Sequence, residues 1–170
     1  GDVPNGTTGV DRGIALTGTQ PAVTIVEPTL TVRQDVTSTG TIAGVDRGDQ
    51  MTYTITLRNG TSSSDVNAYD VWFVDNLPEE LINVQITGVT LSGGATISGP
   101  GDFVIVNGVL QSAPGTKLDI PRGGAVAIQF TGTLSILTGL SGTVDNQVNV
   151  TWTSLDGANT GERTGTDGVL

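Results

Sequence analysis

The feature that most constrains the fold of this chain is the alternation of apolar and polar residues in three of its segments. The apolar residues of these segments fall on alternate positions and are Met51, Tyr53, Ile55 and Leu57, then Val126, Ile128, Phe130 and Leu134, then Val144, Val148, Val150 and Trp152. Residues two apart point to the same face of an extended strand, so each segment predicts a strand with one buried and one solvated face. The chain is therefore predicted to form antiparallel sheets, with threonine prominent on the solvated faces.

Weaker signals predict further strands between these segments. Residues 23–36 form an extended stretch with a proline inside it, which predicts an edge strand because proline cannot donate a ladder hydrogen bond. Residues 71–74 are apolar on both faces, which predicts a central strand. The pair Asn107-Gly108 between two apolar runs is typical of a two-residue hairpin, and a phase shift at Gly88 predicts a bulge.

These patterns predict an all-β fold with about eight or nine short strands, arranged as a sandwich or a barrel. Residues 22–155 are assigned to this body because the alternation lies within them. The flanking segments 1–21 and 156–170 show no alternation and are assigned to linkers. Hydrophobic residues make up 36% of the chain, which is sufficient for a folded core.

The composition excludes most catalytic chemistry. The chain has no cysteine and no histidine, so it has no disulfide, no thiolate nucleophile, no serine–histidine triad and no imidazole metal ligand. Its net charge of −10 disfavours nucleic acid and anionic membranes as partners. No apolar run is long enough to span a bilayer, so no membrane insertion is expected. We expect no enzymatic activity and no small-molecule substrate.

The two ends of the chain resemble each other. Residues 8–11 match residues 164–167 closely, and an acidic, turn-forming piece precedes each of them. This match predicts that the chain is one unit of a tandem array, with 1–21 the linker from the preceding repeat and 156–170 the linker to the following repeat. The expected partners are neighbouring repeats of the same chain, and the isolated module is expected to be monomeric.

Four segments resemble the conserved-repeat domain of bacterial cell-surface and secreted proteins. They are an entry strand at 28–32, a glycine–aspartate turn and alternating strand at 45–59, a strand ending in a leucine–proline turn at 68–78, and a last strand at 145–151. The resemblance covers about residues 28–154. It implies an immunoglobulin-like antiparallel β-sandwich that serves as a spacer in a large adhesin, secreted or at the bacterial cell surface, with no activity of its own.

The resemblance also bears on covalent crosslinking. In related surface domains, a lysine of the entry strand can form an intramolecular isopeptide bond with Asn or Asp. This chain has Arg33 where such domains often carry that lysine, and its single lysine, Lys117, lies in a loop-rich region. Because arginine cannot form the bond, the resemblance implies no isopeptide crosslink here.

Calcium is the metal that this composition allows best, because a hard cation takes oxygen ligands. The candidate ligands lie in the two end segments and in one strand-end loop, and they are Asp2, Asn5, Asp11, Asp46, Asp49, Asp156, Asn159, Glu162 and Asp167. Calcium bound there is expected to stiffen the linkers and to relieve repulsion within an acidic chain. The alternative is that these residues are solvated turn residues, for which Asp and Asn are chemically suited.

Two other function classes stay open. A carbohydrate- or partner-binding module would use residues 88–122, which exceed what a minimal sandwich requires. Exposed aromatic residues in that region would favour this alternative, and buried ones would disfavour it. A glycoside hydrolase would need a pair of carboxylates beside a stacking aromatic residue. The candidates are Asp70, Asp75, Glu79 and Glu80, with Trp72.

Overall fold

The computed structural model describes residues 26–40, 45–99, 102–135 and 144–169. These ranges contain eleven strands, which are β1 Leu30–Ser38, β2 Gln50–Asn59, β3 Tyr69–Asn76, β4 Leu81–Ser92, β5 Thr96–Ser98, β6 Phe103–Val106, β7 Val109–Ser112, β8 Lys117–Asp119, β9 Ala125–Leu134, β10 Gln147–Thr153 and β11 Thr164–Val169. Within the same ranges there is no helix of the length and apolar character needed to cross a membrane.

The strands form two antiparallel sheets that pack face to face. The front sheet has the order β1-β2-β9-β4, and the back sheet has the order β11-β10-β3-β7-β6. A third, two-stranded sheet joins β5 to β8. The predicted all-β sandwich is thus confirmed. The strands outnumber the eight or nine predicted, since β5 and β8 are only three residues long and β11 lacks apolar alternation.

One hydrophobic core lies between the sheets, and the three alternating segments supply half of its buried residues as β2, β9 and β10. Tyr53 of β2 and Phe130 of β9 are cross-strand partners whose rings stack at a centroid distance of 4.9 Å. From the back sheet, Phe73 meets Phe103 edge-on at 5.7 Å. Aromatic contacts of this kind add to the burial energy of the core.

The local predictions about individual strands are also confirmed. Residues 71–74 lie in β3, between β10 and β7 in the back sheet. Asn107 and Gly108 have φ angles of 51° and 78° and form the turn between β6 and β7, as a hairpin turn with two left-handed residues requires. The register of β4 against β9 shifts between Ile86 and Gly88, which is the predicted bulge.

Strand β11 lies within the segment that the sequence assigns to the following linker. It pairs with β10 over six residues, and its Gly165 lies opposite Trp152. A Cβ atom at position 165 would lie 2.3 Å from Cε2 of Trp152, so the indole ring occupies the space of the missing side chain. The back sheet therefore continues past residue 155, while residues 1–21 lie outside the described ranges.

We expect Gly165→Ala to destabilise the fold by about 1–3 kcal/mol, because the buried indole of Trp152 would have to move. Thermal unfolding measures the change, and each kcal/mol corresponds to about 2–4 °C in a protein of this size. Gly88→Ala is the matched control, because a Cβ atom there meets no atom within 4 Å. Equal melting temperatures for the two variants would contradict the packing described for Trp152.

Candidate functional site

The predicted calcium ligands that lie among the described residues are found in three separate places. Asp2, Asn5 and Asp11 lie outside the described residues. The others are found in the turn before β2 (Asp46 and Asp49), in the loop between β10 and β11 (Asp156, Asn159 and Glu162) and in β11 itself (Asp167). Among the described residues, no group of three or more Asp or Glu side chains is placed to hold a metal ion.

The two acids before β2 serve the turn itself. The carboxylate Oδ2 of Asp49 accepts the backbone N–H of Asp46 at 2.8 Å, and the N–H of Asp49 donates to the carbonyl of Asp46 at 3.1 Å. Gly48 has a φ angle of 89° and donates its N–H to the carbonyl of Leu134 at 2.9 Å. A short polar side chain suits such a turn, as the solvated-turn alternative states.

The loop between β10 and β11 is also held by its own polar groups. The amide Nδ2 of Asn159 donates to the backbone carbonyls of Asp156 and Gly157 at 2.7 and 2.9 Å. The Asp156 carboxylate is exposed and lies 3.5 Å from the ammonium of Lys117, a surface pair of small energetic weight. Oε2 of Glu162 is buried and has no hydrogen-bond partner.

Asp167 has a different role, because it joins the two sheets. Its Oδ2 accepts the backbone N–H of Val32 in β1 at 2.7 Å. Four residues earlier along the chain, Arg163 forms an ion pair with Glu27, which lies just before β1. The two contacts follow in the same order along both segments, so β1 and β11 run parallel and side by side at one edge of the sandwich.

A second polar cluster lies inside the core. Asp75 of β3 is fully buried, and the Nδ2 of the buried Asn146 donates to its Oδ2 at 3.2 Å. Oδ1 of Asp75 and Oδ1 of Asn146 are both buried without a hydrogen-bond partner. Burial raises the pKa of Asp75 to about 7, although the hydrogen bond from Asn146 acts in the opposite direction. Burial also raises the pKa of Tyr53, and the nearby charge of Asp75 adds to this increase.

The sequence carries a signal for this cluster in the phase of two strands. Asp75 has the same phase as Val71 and Phe73, and Asn146 has the same phase as Val148 and Val150. Extending the alternation by one step at the end of β3 and at the start of β10 would have placed both side chains in the interior.

The same alternation describes the side chains of β1 around Arg33. Arg33 points outward, and its guanidinium contacts the exposed carboxylate of Asp35 at 2.6 Å. Gln34 is the half-buried neighbour, and its Oε1 lies in the interior without a hydrogen-bond partner. At this point of β1, the inward residue is therefore Gln34 and not Arg33. The absence of an isopeptide crosslink stays a prediction.

Residues 88–122 contribute to the core. Phe103 is the single aromatic residue in this part of the sequence, and it is buried against Phe73. Leu110, Leu118 and Ile120 from the same region are fully buried. The region thus has no exposed aromatic cluster, which disfavours the carbohydrate-binding alternative by the criterion stated above.

The acidic residues around β3 do not face one surface. Asp75 points into the core, Glu79 is exposed, and Asp70 accepts the backbone N–H of Gly157 at 2.7 Å. A glycosidase needs two carboxyl groups facing one another across a solvent-accessible substrate. Asp75 and Glu79 do not meet that requirement.

No protein-family model matches the sequence, and no curated protein matches it significantly. Among solved structures, the full-length major pilin SpaD from Corynebacterium diphtheriae is similar with a TM-score of 0.50 and 19% identity over 81% of this chain. The Actinomyces fimbrial adhesin FimA gives 0.47 and 17% over 79%, and the T6 backbone pilin of Streptococcus pyogenes gives 0.46 and 16% over 82%. The matches cover 34%, 46% and 35% of those chains, respectively. At these identities the similarity shows the fold alone.

Proposed function

We propose that the chain is a structural module of a bacterial cell-surface or secreted protein, a spacer repeated in tandem in the stalk of a large adhesin. Its partners would be the neighbouring repeats, and the isolated module would be a monomer. The fold that it shares in outline with a domain of a major pilin supports this proposal, as does the sequence resemblance to conserved-repeat domains.

The observation that carries the proposal is the parallel arrangement of β1 and β11. In a tandem array, tension would enter this module before β1 and leave it after β11. Because the two strands run side by side in the same direction, such tension pulls them in opposite directions along their axes. The Asp167–Val32 hydrogen bond and the Arg163–Glu27 ion pair lie directly across this boundary.

The ladders on either side suit this loading. β1 pairs with β2 over nine residues without a register shift, and β11 pairs with β10 over six. Antiparallel ladder bonds are perpendicular to the strands. A force along the strand axis therefore loads all the bonds of a ladder together, whereas a force across the strands would break them one at a time.

Force spectroscopy on a protein of several joined copies tests this role. We expect Asp167→Ala to lower the unfolding force, because the Val32 N–H loses its bond to a charged acceptor. In equilibrium unfolding, a bond of this kind contributes about 1.5–3 kcal/mol. Asp167→Asn keeps a side-chain oxygen acceptor and should retain most of the unfolding force.

The matched surface control is Asp35→Ala, which removes an exposed carboxylate of β1 that contacts Arg33. It should leave the unfolding force unchanged. An unfolding force for Asp167→Ala equal to that of the unsubstituted module would argue against β11 as a load-bearing strand and against the spacer role that depends on it.

Calcium at the ends of the module stays part of the proposal. Since the described residues hold no group of three or more acids placed for a metal, a site would need Asp2, Asn5, Asp11 or a neighbouring repeat. Loops rich in glycine and aspartate can turn several oxygen atoms toward one cation.

We expect calcium to raise the melting temperature relative to EDTA, with magnesium as the control ion. At about 100 times the dissociation constant, a bound ion stabilises the fold by about 2.7 kcal/mol. This corresponds to a rise of about 5–10 °C. An unchanged midpoint, in a single module and in two joined modules, would remove calcium from the proposal and leave the spacer role intact.

A further inference from the structure

The buried pair of Asp75 and Asn146 lacks a hydrogen-bond donor. Asn146 Nδ2 donates to Asp75 Oδ2 at 3.2 Å, and the two remaining oxygens, Asp75 Oδ1 and Asn146 Oδ1, are buried without a partner. An ionised carboxylate can only accept hydrogen bonds, and so can an amide oxygen. Two unsatisfied acceptors on adjacent buried groups are costly, and such groups in folded proteins nearly always find a partner.

A single proton removes this deficit. If the proton resides on Asp75 Oδ1, that atom becomes a donor, and the unsatisfied Oδ1 of Asn146, the side chain already bonded to Asp75, can accept from it. Rotating the amide of Asn146 by a half turn does not remove the deficit for an ionised carboxylate. The rotation would place the amide oxygen against Asp75 Oδ2, so that two acceptors would meet.

We propose that Asp75 is a neutral carboxylic acid in the folded protein and forms a cyclic acid–amide pair with Asn146. In this pair, Asp75 Oδ1–H donates to Asn146 Oδ1, while Asn146 Nδ2–H donates to Asp75 Oδ2. Both side chains are then satisfied by each other, and the core carries no buried charge at this point. The pair links β3 to the segment that leads into β10, at the centre of the back sheet.

The surroundings favour the neutral form. The cross-strand partners of Asp75 are Val148 in β10 and Leu110 in β7, both fully buried and apolar. From the front sheet, the titratable group that faces it is Tyr53, a neutral phenol at ordinary pH. Asp145 precedes Asn146 and is exposed. None of the ion pairs among the described residues includes Asp75.

The neutral acid makes the stability of the module depend on pH. Since burial raises the pKa of Asp75 to about 7 in the folded state from 3.8, the folded protein binds one more proton between these values. The stabilisation is fully present below about pH 4 and is lost as the pH rises through about 7. Across that window the unfolding equilibrium constant should rise by at most about tenfold per pH unit. The folded module would thus be most stable at mildly acidic pH.

The first test is a titration of the intact, ¹³C-labelled chain followed by NMR at the side-chain carboxyl carbons. Asp75 should titrate near pH 7, well above its ordinary value of 3.8. Titration of Asp75 at its ordinary value of 3.8 would overturn the proposal. This measurement needs no substitution, so it stands even if a variant fails to fold.

Two substitutions provide the second test. Asp75→Asn replaces the acid with a permanently neutral group that can still donate to Asn146 Oδ1. The decrease in stability between about pH 4 and 7 should therefore be absent from this variant. Asn146→Asp places two carboxyl groups together and should cause a marked loss of melting temperature at neutral pH that acid partly restores. The exposed control Asp35→Asn should keep the wild-type pH dependence. If Asp75→Asn keeps it too, the proposal fails.

Discussion

The rest of this structure depends on the packing of two sheets through the alternate residues of their strands. Because of this packing, a side chain on the inward face of a strand lies between the sheets whether it is apolar or polar. Tyr53 and Phe130 are cross-strand partners and stack inside the core. By the same alternation, the inward set also includes polar residues, namely Gln34, Asp75 and Asn146. The interior therefore contains polar atoms that need hydrogen-bond partners within the protein.

The parts of the fold that could be predicted are those that local patterns encode. The alternation in β2, β9 and β10 and the Asn107-Gly108 turn each depend on residues close together in the sequence. Strand β11 could not be predicted in this way. Its inward positions hold Gly165, which leaves space for Trp152, and Asp167, which bonds to β1. Both roles involve distant parts of the chain, so neither residue gives β11 an apolar alternation.

In the candidate sites too, features that depend on neighbouring residues could be predicted, and contacts between distant residues could not. Asp46 and Asp49 lie in a turn, which their residue types already favoured. The inward direction of Asp75 and Asn146 could have been read from the phase of their strands. Their pairing could not, because 71 positions separate them and only the sheet topology brings β3 beside β10. The sequence therefore indicates which polar groups are buried, and the fold decides which of them meet.

Among the described strands, the last, β11, is bonded to the first, β1, because Asp167 accepts the backbone N–H of Val32. Hydrogen exchange at the backbone amide of Val32 tests this contact most directly. We expect Val32 to be protected in the unsubstituted chain and to exchange markedly faster in Asp167→Ala, with the amides of Thr31 and Arg33, its neighbours in β1, as references. An exchange rate at Val32 that the substitution leaves unchanged would contradict this claim.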